Sequence, residues 1–305
     1  MADIQLFLFP FTAMASPCEL RLYAHSQGVA EQTAEAAIAE INRIEVKYSR
    51  YREDSVLSAI NRAAGGDALA IDSETFALLK YADSAYQESG GLFDISSGVL
   101  RRAWNFKSGE VPSKSDIAAL LSVLGWPKVE LSEGEVRLSR RGMELDFGGF
   151  GKEYAVDAAA RVCAELGIHH GLIDLGGDIR VLGPHPDGSA WQIGIRDPLQ
   201  PNKAKLVLPL KSGALASSGD YERCMVVAGK RYSHILDPRS GWPVQNTFRS
   251  LSVVAPLCLL AGTAATVGLL KGAQSAPAWL SELGMPHYWI DAGGVDGGDL
   301  AALRP

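Results

Sequence analysis

A chain of 305 residues, 47% apolar and 21% charged, is long enough to bury a substantial core, and no internal boundary divides it. Its formal net charge of −6, with Lys and Arg gathered only in short pairs such as Arg101-Arg102 and Arg140-Arg141, argues against nucleic acid as a partner. Cys18, Cys163, Cys224 and Cys258 are scattered without metal-ligand spacing and no run reaches membrane-spanning length, so zinc, a disulfide framework and membrane insertion are not expected and a cytoplasmic setting is.

Residues 1–16 hold an apolar patch without a basic leader, broken by Pro10, which predicts a first strand rather than a signal segment. Over residues 31–48, Ala34, Ala37, Ile38, Ile41 and Ile44 recur at helical spacing, so one stripe of a helix packs on a sheet. A second helix starts near Ser73 as its N-cap, turns Phe76, Leu79 and Ala82 inward, and stops before Gly90-Gly91. Ser115 caps a third over residues 117–124, which Gly125 ends. The stretch KVELSEGEVRLS alternates on both sides of a Glu-Gly turn and predicts a hairpin. Past Leu145, the turn DFGGFGK leads into an alanine-rich helix over residues 153–165. GLIDLGGDIRVLG, WQIGIRDP, KLVLPL, CMVVA and LSVVA read as strands, and helices follow near 261–270 and 276–283. Strands arriving both as hairpins and between helices predict an α+β fold with mixed or largely antiparallel sheets.

Several segments carry residue types suited to chemistry. DFGGFGKEYAVD puts Asp146, three glycines and Lys152 at a helix start, where free N–H groups and a point charge favour anions, as in a diphosphate cradle; it matches neither common nucleotide-binding motif. Gly176 and Gly177, in a strand context, mark a close approach of a ligand or of another backbone. ASSGDYER adds the hydroxyls of Ser217 and Ser218 and the Asp220 carboxylate. In HILDPRSGWP, His234 ends a strand-like approach and Asp237-Pro238 with Gly241 supply turn chemistry, which sets an imidazole at the rim of a sheet.

Taken in order, MASP, SRYREDSVLSAIN, GGLFDISSG, ELDFGGFGKEYAVDAAA, IDLGGDI, SSGDYER and YSHILDPRSGWP resemble the motifs of the ApbE family of flavin transferases, from about Met14 to Leu270. The resemblance implies a single α+β domain over residues 1–305, related to the T-fold. It also implies cleavage of FAD with magnesium, transfer of FMN to a threonine or serine of an acceptor flavoprotein, and release of AMP. By the same resemblance, Met14, Tyr51, Leu92, Phe93, Asp94, Asp146, Lys152, Ser218, Asp220 and Ile235 look like FAD-contacting positions, with Tyr51 stacked on the flavin. His234 matches the histidine that assists phosphoryl transfer, and the Gly149 carbonyl and Thr266 would be magnesium ligands.

Two positions depart from that pattern. Gly262 in AGTAAT stands where the family has an aspartate, and the usual Lys-Gly after the glycine turn is Lys152-Glu153. The first removes a charged ligand, for which Asp178, Asp220 or Asp237 are candidate substitutes; the second adds negative charge beside the expected phosphate site. Alternative readings are an FAD-binding relative without catalysis and an FAD pyrophosphatase. The oligomeric state is not legible.

Overall fold

The computed structural model describes residues 4–200, 202–220, 224–245 and 247–303; Tyr221, Glu222 and Arg223 of the SSGDYER motif lie outside the described residues, as do the first three of the N-terminal stretch. The elements, in chain order, are β1 (Gln5–Ala13), β2 (Ser16–Ala24), α1 (Gln27–Tyr48), α2 (Val56–Arg62), β3 (Leu69–Ala70), α3 (Ser73–Glu88) and α4 (Lys114–Val123). Next come β4 (Val129–Ser132), β5 (Glu135–Leu138), α5 (Gly151–Glu165), β6 (Gly171–Leu175), β7 (Asp178–Gly183), β8 (Trp191–Arg196) and β9 (Ala204–Leu210). The chain continues through β10 (Gly213–Gly219), β11 (Cys224–Val227), β12 (Lys230–Ser233), β13 (Ser250–Ala255), α6 (Cys258–Lys271), α7 (Ala276–Glu282), β14 (His287–Ile290) and β15 (Asp296–Gly297).

Eight strands form one sheet in the order β1-β2-β6-β7-β10-β13-β14-β15, every neighbouring pair antiparallel. Alternation along the strands sends Ile173, Leu175, Ala214 and Ala216 to one face, where α1, α5 and α6 cover them, and Leu172 and Leu215 to the other, under the β8–β9 hairpin. The fold is therefore α+β, as the mixture of hairpins and helices predicts. Buried Ala34, Ala37, Ile41 and Ile44 form the expected stripe of α1, and each fully buried isoleucine is worth about 2–3 kcal/mol relative to exposure.

The helix boundaries differ from expectation in their caps. Ser26 caps α1, so that helix begins at Gln27. Asp72, not Ser73, caps α3, its carboxylate accepting from the Thr75 N–H at 2.8 Å. Ser113 rather than Ser115 caps α4, because Asp116 three residues on returns a hydrogen bond to the Ser113 N–H and closes a capping box. Gly176-Gly177 is not a strand interior but the two-residue turn joining β6 to β7, with φ of 64° and 97°, a conformation that favours glycine. The KVELSEGEVRLS stretch forms the predicted hairpin, β4 with β5.

Candidate active site

The glycine turn before α5 is held from several sides. Asn61 of α2 brackets Leu145, its side-chain oxygen accepting from the backbone N–H at 2.7 Å and its amide donating to the carbonyl at 2.9 Å. Asp146 folds back on the turn, Oδ1 accepting from the Gly148 N–H at 2.9 Å, while Arg50 pairs with Oδ2. The Phe93 ring lies 3.4 Å from where a Gly149 Cβ would stand, and Phe150, fully buried, contacts the rings of Tyr81, Phe93 and Phe147. After this wedge α5 starts without a side-chain cap, its Gly151 N–H bonded instead to the Phe147 carbonyl at 2.6 Å.

Lys152, in that first turn, reaches Asp178 at the start of β7 with 2.6 Å between Nζ and Oδ2. Three elements meet there. A Cβ on Gly176 would lie 3.8 Å from Lys152 Nζ and 2.8 Å from the Ser16 Cβ, so the β6–β7 turn abuts both α5 and the start of β2. Beside Ser16, Met14 and Ala15 adopt positive φ of 50° and 57°, and Glu45 accepts from the Met14 N–H at 2.9 Å.

The contact of α5 with α6 carries the most unusual chemistry. Asp157 caps α6 from outside, Oδ1 accepting from the Cys258 N–H at 3.0 Å and Oδ2 from the Leu259 N–H at 2.9 Å. One turn earlier on α5, Glu153 is only 8% exposed and its Oε2 has no hydrogen-bond partner. Burial first, and then the neighbouring Asp178 carboxylate, push its pKa up to about 8. It faces Gly262: a Cβ there would stand 2.5 Å from Glu153 Oε1 and 2.6 Å from its Cγ. One turn beyond Gly262, the Thr266 hydroxyl lies 2.9 Å from that of Ser218 on β10. Among the described residues no three His, Cys, Asp or Glu side chains converge as a ready-made metal cluster. The Glu153 carboxylate and the Thr266 and Ser218 hydroxyls are hard oxygen donors of the kind that suits magnesium, which keeps ligand positions for water and phosphate.

The other expected residues lie on several separate elements. Leu92, Phe93 and Asp94 are buried, and the Asp94 carboxylate is engaged by the N–H and hydroxyl of Ser96 at 2.8 and 2.6 Å and by the Trp126 N–H at 2.9 Å. Tyr51 is 80% exposed, its hydroxyl accepting from Arg50 at 2.7 Å with the guanidinium 4.8 Å from its ring centroid. Beside it opens a cleft of about 750 Å³ that includes Asn61 and Arg101. Asp220 is buried and paired with Arg249 at 2.6 Å and Arg231 at 3.2 Å. His234 follows β12 directly, at the rim of the two-stranded β11–β12 ribbon rather than of the large sheet. Ile235 packs partly against the cluster of Phe248 and Leu251. Asp237 holds its own turn, accepting from the Arg239 N–H at 2.9 Å, and Gly241, at φ 72°, lets Ile117 approach to 2.5 Å of where its Cβ would be.

Comparison with known proteins agrees with this architecture. The family model for the ApbE family matches residues 14–289. The chain belongs to the ApbE family. A relative from Klebsiella pneumoniae (strain 342), named FAD:protein FMN transferase, is 32% identical over 260 residues, 84% of this chain and 79% of that protein. Another of the same name, from Treponema pallidum (strain Nichols), is 30% identical over 284 residues, 87% of this chain and 78% of that one. The crystal structure of the ApbE protein from Thermotoga maritima superposes with a TM-score of 0.90 at 28% identity, covering 99% of this chain and 100% of the other. The apo flavinyl transferase ApbE of Pseudomonas stutzeri shares the fold at a TM-score of 0.87 and 24% identity, covering 97% and 95%.

Within this ApbE chain Gly149 and Lys152 lie at the start of α5, and Thr266, hydrogen-bonded to Ser218, lies on α6, the helix that packs on α5. Asp220, in its arginine clamp, and Asp237, in its own turn, are already engaged; Asp178 is paired with Lys152. Arg50 escaped the sequence reading, and the contact that Glu153 makes was not legible in it. Arg50 links Asp146 to Tyr51, and its place directly before Tyr51 was the available signal. Glu153 looked like a liability beside a phosphate site, yet it is the carboxylate that faces Gly262.

Proposed function

We propose that this chain is an FAD:protein FMN transferase, one domain over its whole length, that cleaves the FAD diphosphate and attaches FMN to a threonine or serine of an acceptor flavoprotein. Relatives of that name along most of the chain support the reading. The observation that carries it is the start of α5, where the glycine turn and Lys152 stand together at the N-terminal end of a helix, the kind of setting that suits a diphosphate. In this reading the acceptor hydroxyl attacks the phosphorus on the FMN side, the bond to the AMP phosphate breaks, and AMP departs. His234 takes the hydroxyl proton, and Lys152 offsets charge on the diphosphate. Arg50 holds the Tyr51 ring where the isoalloxazine can stack, and Met14, Leu92, Phe93, Asp94, Asp146, Ser218, Asp220 and Ile235 shape the surrounding walls and turns. Magnesium, held by the Gly149 carbonyl and the Thr266 hydroxyl, would supply further charge neutralisation. The orphaned Oε2 of Glu153 is the feature that makes a cation fit here.

The four free cysteines support a cytoplasmic setting. Among the described residues no helix is long and apolar enough to cross a membrane. The test is to incubate the protein with FAD, Mg²⁺ and a threonine-bearing flavoprotein, following AMP by chromatography and the FMN adduct by mass spectrometry. Magnesium-dependent AMP with a labelled acceptor is expected. Intact bound FAD under all conditions would refute the proposal, and AMP without an adduct would make the chain a pyrophosphatase.

A further inference from the structure

Two substitutions that look unrelated along the chain face each other in space. Glu153 on α5 projects into the volume that a side chain at position 262 of α6 would fill, to within 2.5 Å of the missing Cβ. A carboxylate in that place with one oxygen lacking any partner is an expensive arrangement for an isolated protein, because a buried charge must be paired or neutralised. Lys152 does not remove the difficulty, since its ammonium is 2.6 Å from Asp178 and leaves Glu153 Oε2 unsatisfied. The Thr266 hydroxyl, 2.9 Å from that of Ser218 on β10, lies one α6 turn beyond Gly262 and so on the same side of that helix.

We propose that Glu153 is the metal-ligating carboxylate of this site, delivered from α5 across the gap opened by Gly262, and that its cation is a hard divalent ion such as Mg²⁺ or Mn²⁺. The proposal rests on the transferase reading for its role in the reaction, but its geometry stands on Glu153 and Gly262 alone. Gly262 is then a requirement and not a loss: an aspartate there would drive a second carboxylate into the volume Glu153 already holds. Binding an oxygen-preferring cation satisfies the orphaned Oε2 and offsets the repulsion from Asp178.

The experiment measures Mn²⁺ binding by electron paramagnetic resonance on the full chain, with FAD present and absent. The proteins are wild type, Glu153→Gln, Gly262→Asp and the exchange Glu153→Gly/Gly262→Asp, each checked by its melting temperature. Expected are a loss of roughly tenfold or more in Mn²⁺ affinity for Glu153→Gln, no gain for Gly262→Asp alone, and recovery to within a few-fold in the exchange variant. Glu153→Gln should fold well, since it keeps the size and shape of the side chain, and the metal-induced rise in melting temperature should vanish with it. If Glu153→Gln misfolds, the exchange variant decides. Unchanged Mn²⁺ affinity in folded Glu153→Gln, no Mn²⁺ binding by wild type even with FAD, or an exchange variant that folds but does not bind would each overturn the proposal. Assaying wild type for FAD cleavage separates the two ideas: Mn²⁺ bound through Glu153 without cleavage refutes the transferase reading, whereas cleavage indifferent to Glu153→Gln refutes the ligand assignment.

Discussion

Removal of the Asp157 carboxylate should damage both stability and the site, and the structure sets the size of the effect. Helix α6 begins at Cys258 after Leu257, which offers no side-chain cap, and Asp157 of α5 supplies the two acceptors that its first N–H groups need. Loss of an N-cap costs about 1 kcal/mol, up to ~2 in proteins, and a carboxylate at the positive end of a helix adds about 0.3–1 kcal/mol. Arg180, 3.8 Å from Asp157 with one guanidinium nitrogen already without a partner, loses its nearest anion as well. Asp157→Ala should therefore lower unfolding stability by about 2–4 kcal/mol, read as a shift in urea midpoint at constant slope. Asp157→Asn keeps one acceptor and should cost about half as much. Because α6 carries Gly262 and Thr266, fraying of its first turn should also raise the KM for FAD before it lowers kcat. A change in stability below about 0.5 kcal/mol, within the range of ordinary surface substitutions, would refute the claim that α6 depends on this cap.

His234→Ala should lower FMN transfer by about 10² or more while leaving FAD affinity nearly intact; unchanged turnover in a single-turnover assay would remove the imidazole from the mechanism. Tyr51→Ala, at a ring 80% exposed and backed by Arg50, should weaken FAD binding by roughly 1 kcal/mol in a fluorescence titration, and equal affinity would place the flavin elsewhere. Glu74 ties α3 to α1 and α5: hydrogen bonds from Arg43 foremost, with those from Lys47 and the Tyr154 hydroxyl, hold its carboxyl at about 2. Its contribution is complete above the unfolded pKa near 4.5 and is lost as pH falls towards 2, about 1 kcal/mol after allowance for solvent screening. Glu74→Gln should flatten the stability profile across that window, and an unaltered acid limb in thermal melts would contradict the assignment.

The parts of the fold legible in the sequence are those set by local periodicity. The stripe of Ala34, Ala37, Ile41 and Ile44 and the alternation around Gly134 needed no tertiary knowledge, because each face is decided by residues within a turn or two. The caps moved by a residue or two because Ser73 and Asp72, or Ser115 and Ser113, are equally good caps by type, and only the backbone angles and a reciprocal partner such as Asp116 choose between them. Gly176-Gly177 was ambiguous for a different reason: two glycines between apolar runs suit both a strand interior and a tight turn, and it is the pairing of Leu175 with Asp178 that decides. The order of the large sheet, with β2 beside β6 and β10 between β7 and β13, depends on contacts far apart in the chain.

The site divides along the same line. Lys152 and the glycine turn were readable because adjacency puts a charge and bare backbone together at a helix start. The meaning of Glu153 was not, because it depends on which residue of α6 faces it. Seen along the chain, Glu153 adds unwanted charge and Gly262 lacks a needed one; seen across the α5–α6 contact, the excess of one fills the deficit of the other. Two departures that each weaken a motif can together preserve its chemistry when the helices that bear them touch. The exchange variant tests that directly, since it returns each residue to the helix from which the usual pattern supplies it.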